Sequence, residues 1–484
     1  MDIGQFFTVA DLLGISPEII LTVTAFFVLT LEMVHVFRPE IKLMVAALGF
    51  LLAGAVTIST SGDEQILFGG MLSLNKFSMF FDFLYISIGL ATMILSQGYL
   101  EKMGSKFRGE YPALILFAII GMMLMTKAND LVMVFLGLEL LSLSLYVLVG
   151  FLRHNLYSNE SGLKYLLLGA FATGFFLFGA AMIYGATGTT NYNEIASAAT
   201  SGSILSKVYF SLGIGLLLIG FAFKVALVPF HMWSPDVYQG APTTVTAFLC
   251  TAPKVAGFGA LLNIFIVAFM EIQVEWQNLF WILAALTLTV GNISALMQSH
   301  VKRMLAFSSV SHAGYLVLGV LVLNSVGLSA VLFYLVVYSV MNLGAFGIIL
   351  LLEKDNKGLA FEDYRGFSAQ HPWMAGAMAL FMISLAGFPP TGGFVAKYGL
   401  LSSAVSEGYI WLVIIAVLNT LVSAYYYLRL IVNMYMQEEK ESPHPVSGVL
   451  VLGLIGLLAV IVLTLGITPE ILLKITAEAA TTVF

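Results

Sequence analysis

Four ionisable side chains sit in stretches that offer them no obvious water. Lys224 lies in Gly220-Phe-Ala-Phe-Lys-Val-Ala-Leu227 and Lys254 in Thr251-Ala-Pro-Lys-Val-Ala-Gly257. Lys397 lies in Gly393-Phe-Val-Ala-Lys-Tyr398, and Glu139 in Met133-Val-Phe-Leu-Gly-Leu-Glu-Leu-Leu141. A charge at the centre of a bilayer costs about 2.5–3.5 kcal/mol even on lenient insertion scales. Four unpaired charges would cost on the order of 10 kcal/mol, comparable to the whole stability of many proteins. Such groups must face the interior and pair or meet water. Burial disfavours the charged form and an opposite charge restores it, so groups held between the two tendencies can exchange protons near neutral pH. Three lysines and a glutamate together argue for a proton route. Two plainer readings stay open: lysines that snorkel to the headgroups, and a purely structural Glu–Lys pair.

Helical spacing adds polar neighbours. Glu139, Ser142 and Tyr146 stand at i, i+3 and i+7 and share one helix face; Ser308, His312 and Tyr315 do the same farther along. Histidine titrates near physiological pH. For His312, and for His231 beside a proline-rich break, a proton-carrying role and a satisfied core histidine are both open.

The elements that must hold these residues are membrane helices. Of 484 residues, 60% are hydrophobic and 10% charged, against about 25% charged in soluble proteins. Gly 45 and Phe 37 are also high, and glycine is common in lipid-embedded helices. The net charge of −6 matters less than where the charges lie. Cys250, the one cysteine, can form no internal disulfide and reads as a core thiol. Met1–Ile15 has no basic region before the first apolar run, so it reads as a short amphipathic lead-in and not a cleavable signal. With roughly 20 apolar residues needed per crossing, spans are expected near 17–37, 41–61, 75–98, 111–127, 130–152, 162–187, 204–228, 242–270, 276–299, 303–322, 326–352, 372–404, 407–436 and 446–468. Connections are short, so residues 1–484 read as one membrane domain.

Two spans are interrupted. Pro229, Pro235 and Pro242 punctuate the seventh, and Pro389 and Pro390 the twelfth. Proline removes a backbone donor and blocks the preceding turn, and freed carbonyls in lipid need partners in protein or a wet cavity. Interrupted helices in two halves point to an ion path; ordinary proline kinks are the alternative. Basic residues set the orientation. With the N-terminus outside, the inner side holds Arg38, Lys42, Lys102, Lys106, Arg108, Arg153, Lys164, Lys302, Arg303, Lys354, Lys357, Arg365, Arg429 and Lys440. The outer side holds only Lys76, Lys127, Lys207 and Lys474. Both termini are therefore expected outside.

At these residues the chain resembles the N-type, antiporter-like membrane subunit of proton-translocating NADH:quinone oxidoreductase (complex I), homologous to the mitochondrially encoded second subunit. The resemblance covers nearly the whole chain, most clearly about 110–435. It rests on Gly162-Leu-Lys-Tyr-Leu-Leu-Leu-Gly-Ala-Phe171, Val228-Pro-Phe-His-Met-Trp-Ser-Pro-Asp-Val-Tyr-Gln-Gly-Ala-Pro242, Lys302-Arg-Met-Leu-Ala-Phe-Ser-Ser309 with Ser311-His-Ala-Gly-Tyr315, and Gly387-Phe-Pro-Pro390 through Lys397. It implies an all-α fold of fourteen helices, with helices 1–3 over about 17–98, inverted five-helix repeats over about 111–270 and 276–436, and a last helix over about 446–468. Helices 7 and 12 are implied to be broken. The family's proton-carrying glutamate and lysines fall on Glu139, Lys224, Lys254 and Lys397, and a further lysine on Lys164. Lys397 disfavours the M-type subunit, which has a glutamate there, and the Phe-His-Met-Trp wording differs from that of the L and M types and of multisubunit sodium–proton antiporters. The implied setting is a bacterial inner membrane, beside M-type, L-type and small K-, J- and A-type subunits.

Two function classes follow from the resemblance and one does not. The first is a proton-pumping subunit of a redox complex, in which quinone and NADH are used by partner subunits. This chain shows no CxxC spacing, no credible GxGxxG after a strand and no haem-ligand pair, so no cofactor or metal is expected on it. The second is a subunit of a cation–proton antiporter without redox coupling. An independent small-substrate transporter finds no binding cluster beyond the proton line. Nothing in the sequence points to nucleic acid.

Overall fold

The computed structural model describes residues 8–34, 38–60, 64–99, 109–201, 206–353, 359–438 and 448–483. A short α1 (Val9–Gly14) leads into α2 (Ser16–Met33), α3 (Pro39–Ser59) and α4 (Lys76–Ser96). Then follow α5 (Glu110–Lys127), α6 (Leu131–Val149), α7 (Leu156–Thr187), α8 (Tyr192–Ser201), α9 (Lys207–Val225), α10 (Trp233–Gly240) and α11 (Thr243–Val267). The chain continues through α12 (Gln273–Leu296), α13 (Val301–Val322), α14 (Ser325–Leu352), α15 (Pro372–Ala386), α16 (Gly392–Ser406) and α17 (Ile410–Met436). It closes with α18 (Val449–Ile467) and α19 (Glu470–Thr481).

Among the described residues, thirteen helices are long and apolar enough to cross a bilayer. The half-helices α15 and α16, 15 residues each, make one further crossing between them. The expected all-α polytopic fold is observed, with thirteen candidate spans among the described residues, a fourteenth apolar stretch split between α15 and α16, and both expected breaks in place. Some ends move. The sixth span starts at Leu156, not 162, because the Asn155 side chain accepts hydrogen bonds from the amides of Tyr157 (2.9 Å) and Ser158 (3.4 Å) and so caps an earlier turn. The seventh stops at Val225 and the first at Met33. Expected ends at 37, 61, 204 and 446 lie outside the described residues, as do Lys102, Lys106, Arg108, Lys354, Lys357 and Lys440. An antiparallel hairpin, β1 (Gln65–Leu67) with β2 (Leu72–Leu74), was not expected.

Burial sorts the helices. Helices α11, α13 and α14 are enclosed almost end to end, while α2, α3, α7 and α18 turn leucines, valines and phenylalanines outward. Small residues allow close crossings where no hydrophobic effect drives helices together. A Cβ on Gly137 of α6 would lie 2.6 Å from the Gly121 carbonyl of α5. Three lysines assigned above to the surfaces are instead buried. Lys42 pairs with Glu32, Lys127 with Glu18 and Asp82, and Lys302 donates to the Ala241 carbonyl at 2.7 Å. Each lies at a helix end, where spacing alone cannot tell a headgroup contact from a partner on another helix.

Candidate functional site

The break after Lys224 is built by backbone accounting. Helix α9 ends at Val225, and Ala226 takes a left-handed conformation (φ 60°). The amides of Ala226 and Leu227 return to the carbonyls of Phe223 (3.1 Å) and Ala222 (2.7 Å). The Phe223 carbonyl also accepts the Trp233 indole N–H (2.9 Å), and the Val228 amide donates to Thr287 Oγ1 (3.0 Å). The freed polar groups thus find protein partners, as an interruption in lipid requires. In the second break α15 ends before Gly387 (φ 88°) and α16 starts at Gly392. Gly393 is a necessity there: a Cβ would fall 1.8 Å from the Ser384 carbonyl oxygen. Pro229 and Pro390 stand inside the two breaks.

Lys224 is buried and donates to Ser142 Oγ at 2.9 Å, with its Nζ 6.0 Å from the Tyr165 ring centroid. Ser142 is on the polar stripe of α6 that carries Glu139. No ion pair within 4.0 Å joins Glu139 to Lys224, and Lys224 bonds the serine instead. Glu139 is half-buried, and its Oε1 has no hydrogen-bond partner.

Lys254 follows a proline inside α11. Pro253 cannot donate to the Leu249 carbonyl, and the Tyr238 hydroxyl does so instead at 3.3 Å; the Tyr338 hydroxyl serves the Cys250 carbonyl at 3.0 Å. Lys254 Nζ reaches the Ser309 hydroxyl (3.0 Å) and the Ser309 carbonyl on α13. From there polar groups run on. Neighbouring Ser308 bonds the Tyr427 hydroxyl, which is 3.2 Å from His312 Nε2. His312 Nδ1 lies 2.6 Å from the Tyr334 hydroxyl. The Tyr334 ring stacks on Tyr315 at 6.4 Å, and Lys397 Nζ sits 4.9 Å from the Tyr315 centroid while donating to the Ala386 carbonyl (3.0 Å). Hydroxyls, one imidazole and aromatic faces on α11, α13, α14, α16 and α17 therefore line the space between Lys254 and Lys397, with adjacent Ser308 and Ser309 and the stacked rings of Tyr334 and Tyr315 as the two steps not made by a hydrogen bond.

The remaining expected residues lie off this thread. His231 is half-buried in the break, and its Nδ1 has no partner. Lys164 stands two turns into α7, bonded to Glu160 (2.7 Å) and to Asp236 (3.1 Å), which also takes Arg303 (2.7 Å). The stripe of Ser308, His312 and Tyr315 was visible as spacing. Tyr334 and Tyr427 were not, because a tyrosine in an apolar helix carries no mark of its partner. Asp82 was missed although Met79-Phe-Phe-Asp-Phe-Leu84 repeats the signal used for Glu139.

The family described as NADH:quinone oxidoreductase/Mrp antiporter, TM, matches residues 128–423. NADH-quinone oxidoreductase subunit N of Trichlorobacter lovleyi is 44% identical, with 99% of each chain covered. NADH-quinone oxidoreductase subunit N 2 of Rhizobium meliloti is 40% identical, with 96% of each covered. Among solved structures, a chain of respiratory complex I from Thermus thermophilus with bound aureothin superposes with a TM-score of 0.82 at 34% identity, covering 95% of this chain and 98% of that one. A chain of the Mrp complex from a Dietzia species superposes at 0.87 with 21% identity, covering 99% and 98%, and shares the fold.

Proposed function

This chain belongs to the NADH-quinone oxidoreductase subunit N family, and we propose that it carries protons through the membrane arm of such a complex along the buried lysine line. The observation that carries this reading is the run of buried polar groups between Lys254 and Lys397: Ser309 on Lys254, then Ser308, Tyr427, His312 and Tyr334 bonded in turn, and Tyr315 under Lys397. A proton moves between fixed groups only when each neighbour can accept as it donates, and hydroxyls and imidazole do both. Glu139 and Lys224 form the first half of the line, with Ser142 of the same helix face as Glu139 bonded to Lys224, and the two broken helices supply backbone whose partners can change. Lys164 and His231 lie on the inner approach. Identity to subunit N relatives along the whole chain outweighs a fold likeness to the Mrp chain, which shows architecture alone.

Electron transfer belongs to partner subunits in this reading, and this chain binds no cofactor. The partners are M-type and L-type antiporter-like subunits and the small K-, J- and A-type subunits. The chain lies in the bacterial inner membrane with both termini outside, its two five-helix halves inverted relative to one another. Substituting Lys254→Ala tests the proposal in membranes holding normal amounts of assembled complex. Proton pumping and quinone-linked turnover are expected to fall together; pumping at the unmodified rate would make the thread a structural network.

A further inference from the structure

A second ionised cluster is buried at the other end of the first helices. Lys127, the last residue of α5, pairs with Glu18 in the first turn of α2 and with Asp82 of α4 at 2.8 Å. The Lys127 and Asp82 side chains are 0% exposed and that of Glu18 is 5% exposed. None of these was needed for the lysine line. Helix ends suit two members: a carboxylate near the start of α2 and an ammonium at the end of α5 each complement the helix dipole. The third member upsets the balance. Two carboxylates and one ammonium, all ionised, would leave one net negative charge in a dry site, where an uncompensated charge is far costlier than a protonated carboxyl. Two carboxylates sharing one partner also repel each other, which favours one of them holding a proton. Glu18 Oε2 and Asp82 Oδ1, the carboxylate oxygens not engaged by Lys127, have no hydrogen-bond partner, so there is room for that proton.

The cluster lies at the end of the bundle where α2 and α4 begin, beside the helix that carries Lys254. One turn nearer the helix starts, Ile15 and Met79 join a small apolar group with Leu67, Leu72 and Leu74 of the hairpin, which stands between the cluster and that end of the bundle. One turn farther in, the buried Tyr85 hydroxyl has no partner. Helix α11, which carries Lys254, packs alongside: a Cβ on Gly259 would lie 2.6 Å from Thr126, and Asn263 donates to the Ala128 carbonyl at 2.7 Å. The groups facing the cluster are Glu18 from α2, Asp82 and Tyr85 from α4, Lys127 from α5 and uncharged Asn263 from α11. Asp130 at the start of α6 is engaged with the Val132 amide and the Thr190 hydroxyl.

We propose that Glu18, Asp82 and Lys127 form a proton-binding site that holds one proton between its two carboxyls and releases it at the end of the bundle where α2 and α4 begin. The inference rests on the proton-carrying reading of the lysine line. The proton leaves a carboxyl for water beyond the hairpin, and the emptied carboxylate is refilled from the interior past Tyr85.

Asp82→Asn is the incisive variant. It keeps the shape and leaves Glu18 and Lys127 as a neutral pair needing no extra proton, so the complex assembles. Pumping in native membranes is expected to fall several-fold, and the purified complex loses one protonated-carboxyl band from its pH-difference infrared spectrum. A triple variant, Glu18→Leu, Asp82→Leu and Lys127→Met, controls for a merely structural triad, because a buried ion cluster exchanged for apolar residues of similar volume is often tolerated. Here the triple variant assembles and still fails to pump. Normal pumping by Asp82→Asn or by the triple variant, with Lys254→Ala impaired, overturns the proton site and leaves the lysine line standing. Retention of the infrared band in Asp82→Asn also overturns it. Normal pumping by Lys254→Ala removes both readings.

Discussion

Lys224 and Lys254 each find a serine hydroxyl in place of a carboxylate, at 2.9 and 3.0 Å. A hydroxyl can follow its neighbour through a change of charge, because it donates or accepts as needed. Lys224→Ala is therefore expected to impair coupled turnover while the complex assembles, and Lys224→Arg to rescue it only in part, since a guanidinium keeps its proton. Pumping assays in membranes with matched complex content check both. Tyr427→Phe removes the one hydroxyl between Ser308 and His312 and leaves the packing in place. Slower pumping with unchanged assembly is expected; an unchanged rate would show that the thread bypasses Tyr427. What could be read in advance at this scale was charge out of place: a lysine or glutamate within an apolar run is conspicuous. The tyrosines that complete the thread were not readable, since burying a large ring in a membrane helix is unremarkable and the bond depends on which helix lies opposite. Lys127 was misread for the complementary reason. At the end of a span it resembles a headgroup anchor until Glu18 and Asp82 are seen beside it.

At the scale of elements, both breaks were legible, because proline and glycine act through the backbone and need no knowledge of tertiary contacts. The groups that satisfy the freed carbonyls were not, since they come from distant helices. Pro253 shows this well. The Leu249 carbonyl it leaves vacant is served by Tyr238, which belongs to α10. Tyr238→Phe should cost about 1–3 kcal/mol by stranding that carbonyl. Adding Pro253→Ala restores a backbone donor and should recover part of the loss, a non-additivity that thermal melting of the purified complex would measure as a double-mutant cycle. Additive losses would show that Tyr238 acts by packing alone. Gly137→Leu offers a harsher test: its side chain would enter the Gly121 backbone of α5, and the expected outcome is loss of the assembled complex on native gels.

For the whole molecule, the number of crossings was readable from apolar run lengths, with the ends less so because caps such as Asn155 override hydropathy. The hairpin and the terminal helix α19 escaped the reading, as short elements outside the apolar runs do. Basic residues concentrated on one side predict that reporters fused after Arg108, Arg153 or Lys357 read as cytoplasmic and a C-terminal reporter as external. A cytoplasmic C-terminus would mean an odd number of crossings.

The glycine contact between α5 and α6 has a mechanical consequence. With Gly137 against the backbone of Gly121, the two helices meet backbone to backbone there, flanked by the Met125 and Leu140 side chains. Two residues beyond Gly137 stands Glu139, and six beyond Gly121 stands Lys127. The hairpin of α5 and α6 is thus a stiff lever with an acid of the central line on one arm and the ammonium of the buried triad at the tip of the other. A tilt of one helix must be met by the other at this contact, so the two charge sites share one rigid support without a chain of hydrogen bonds between them.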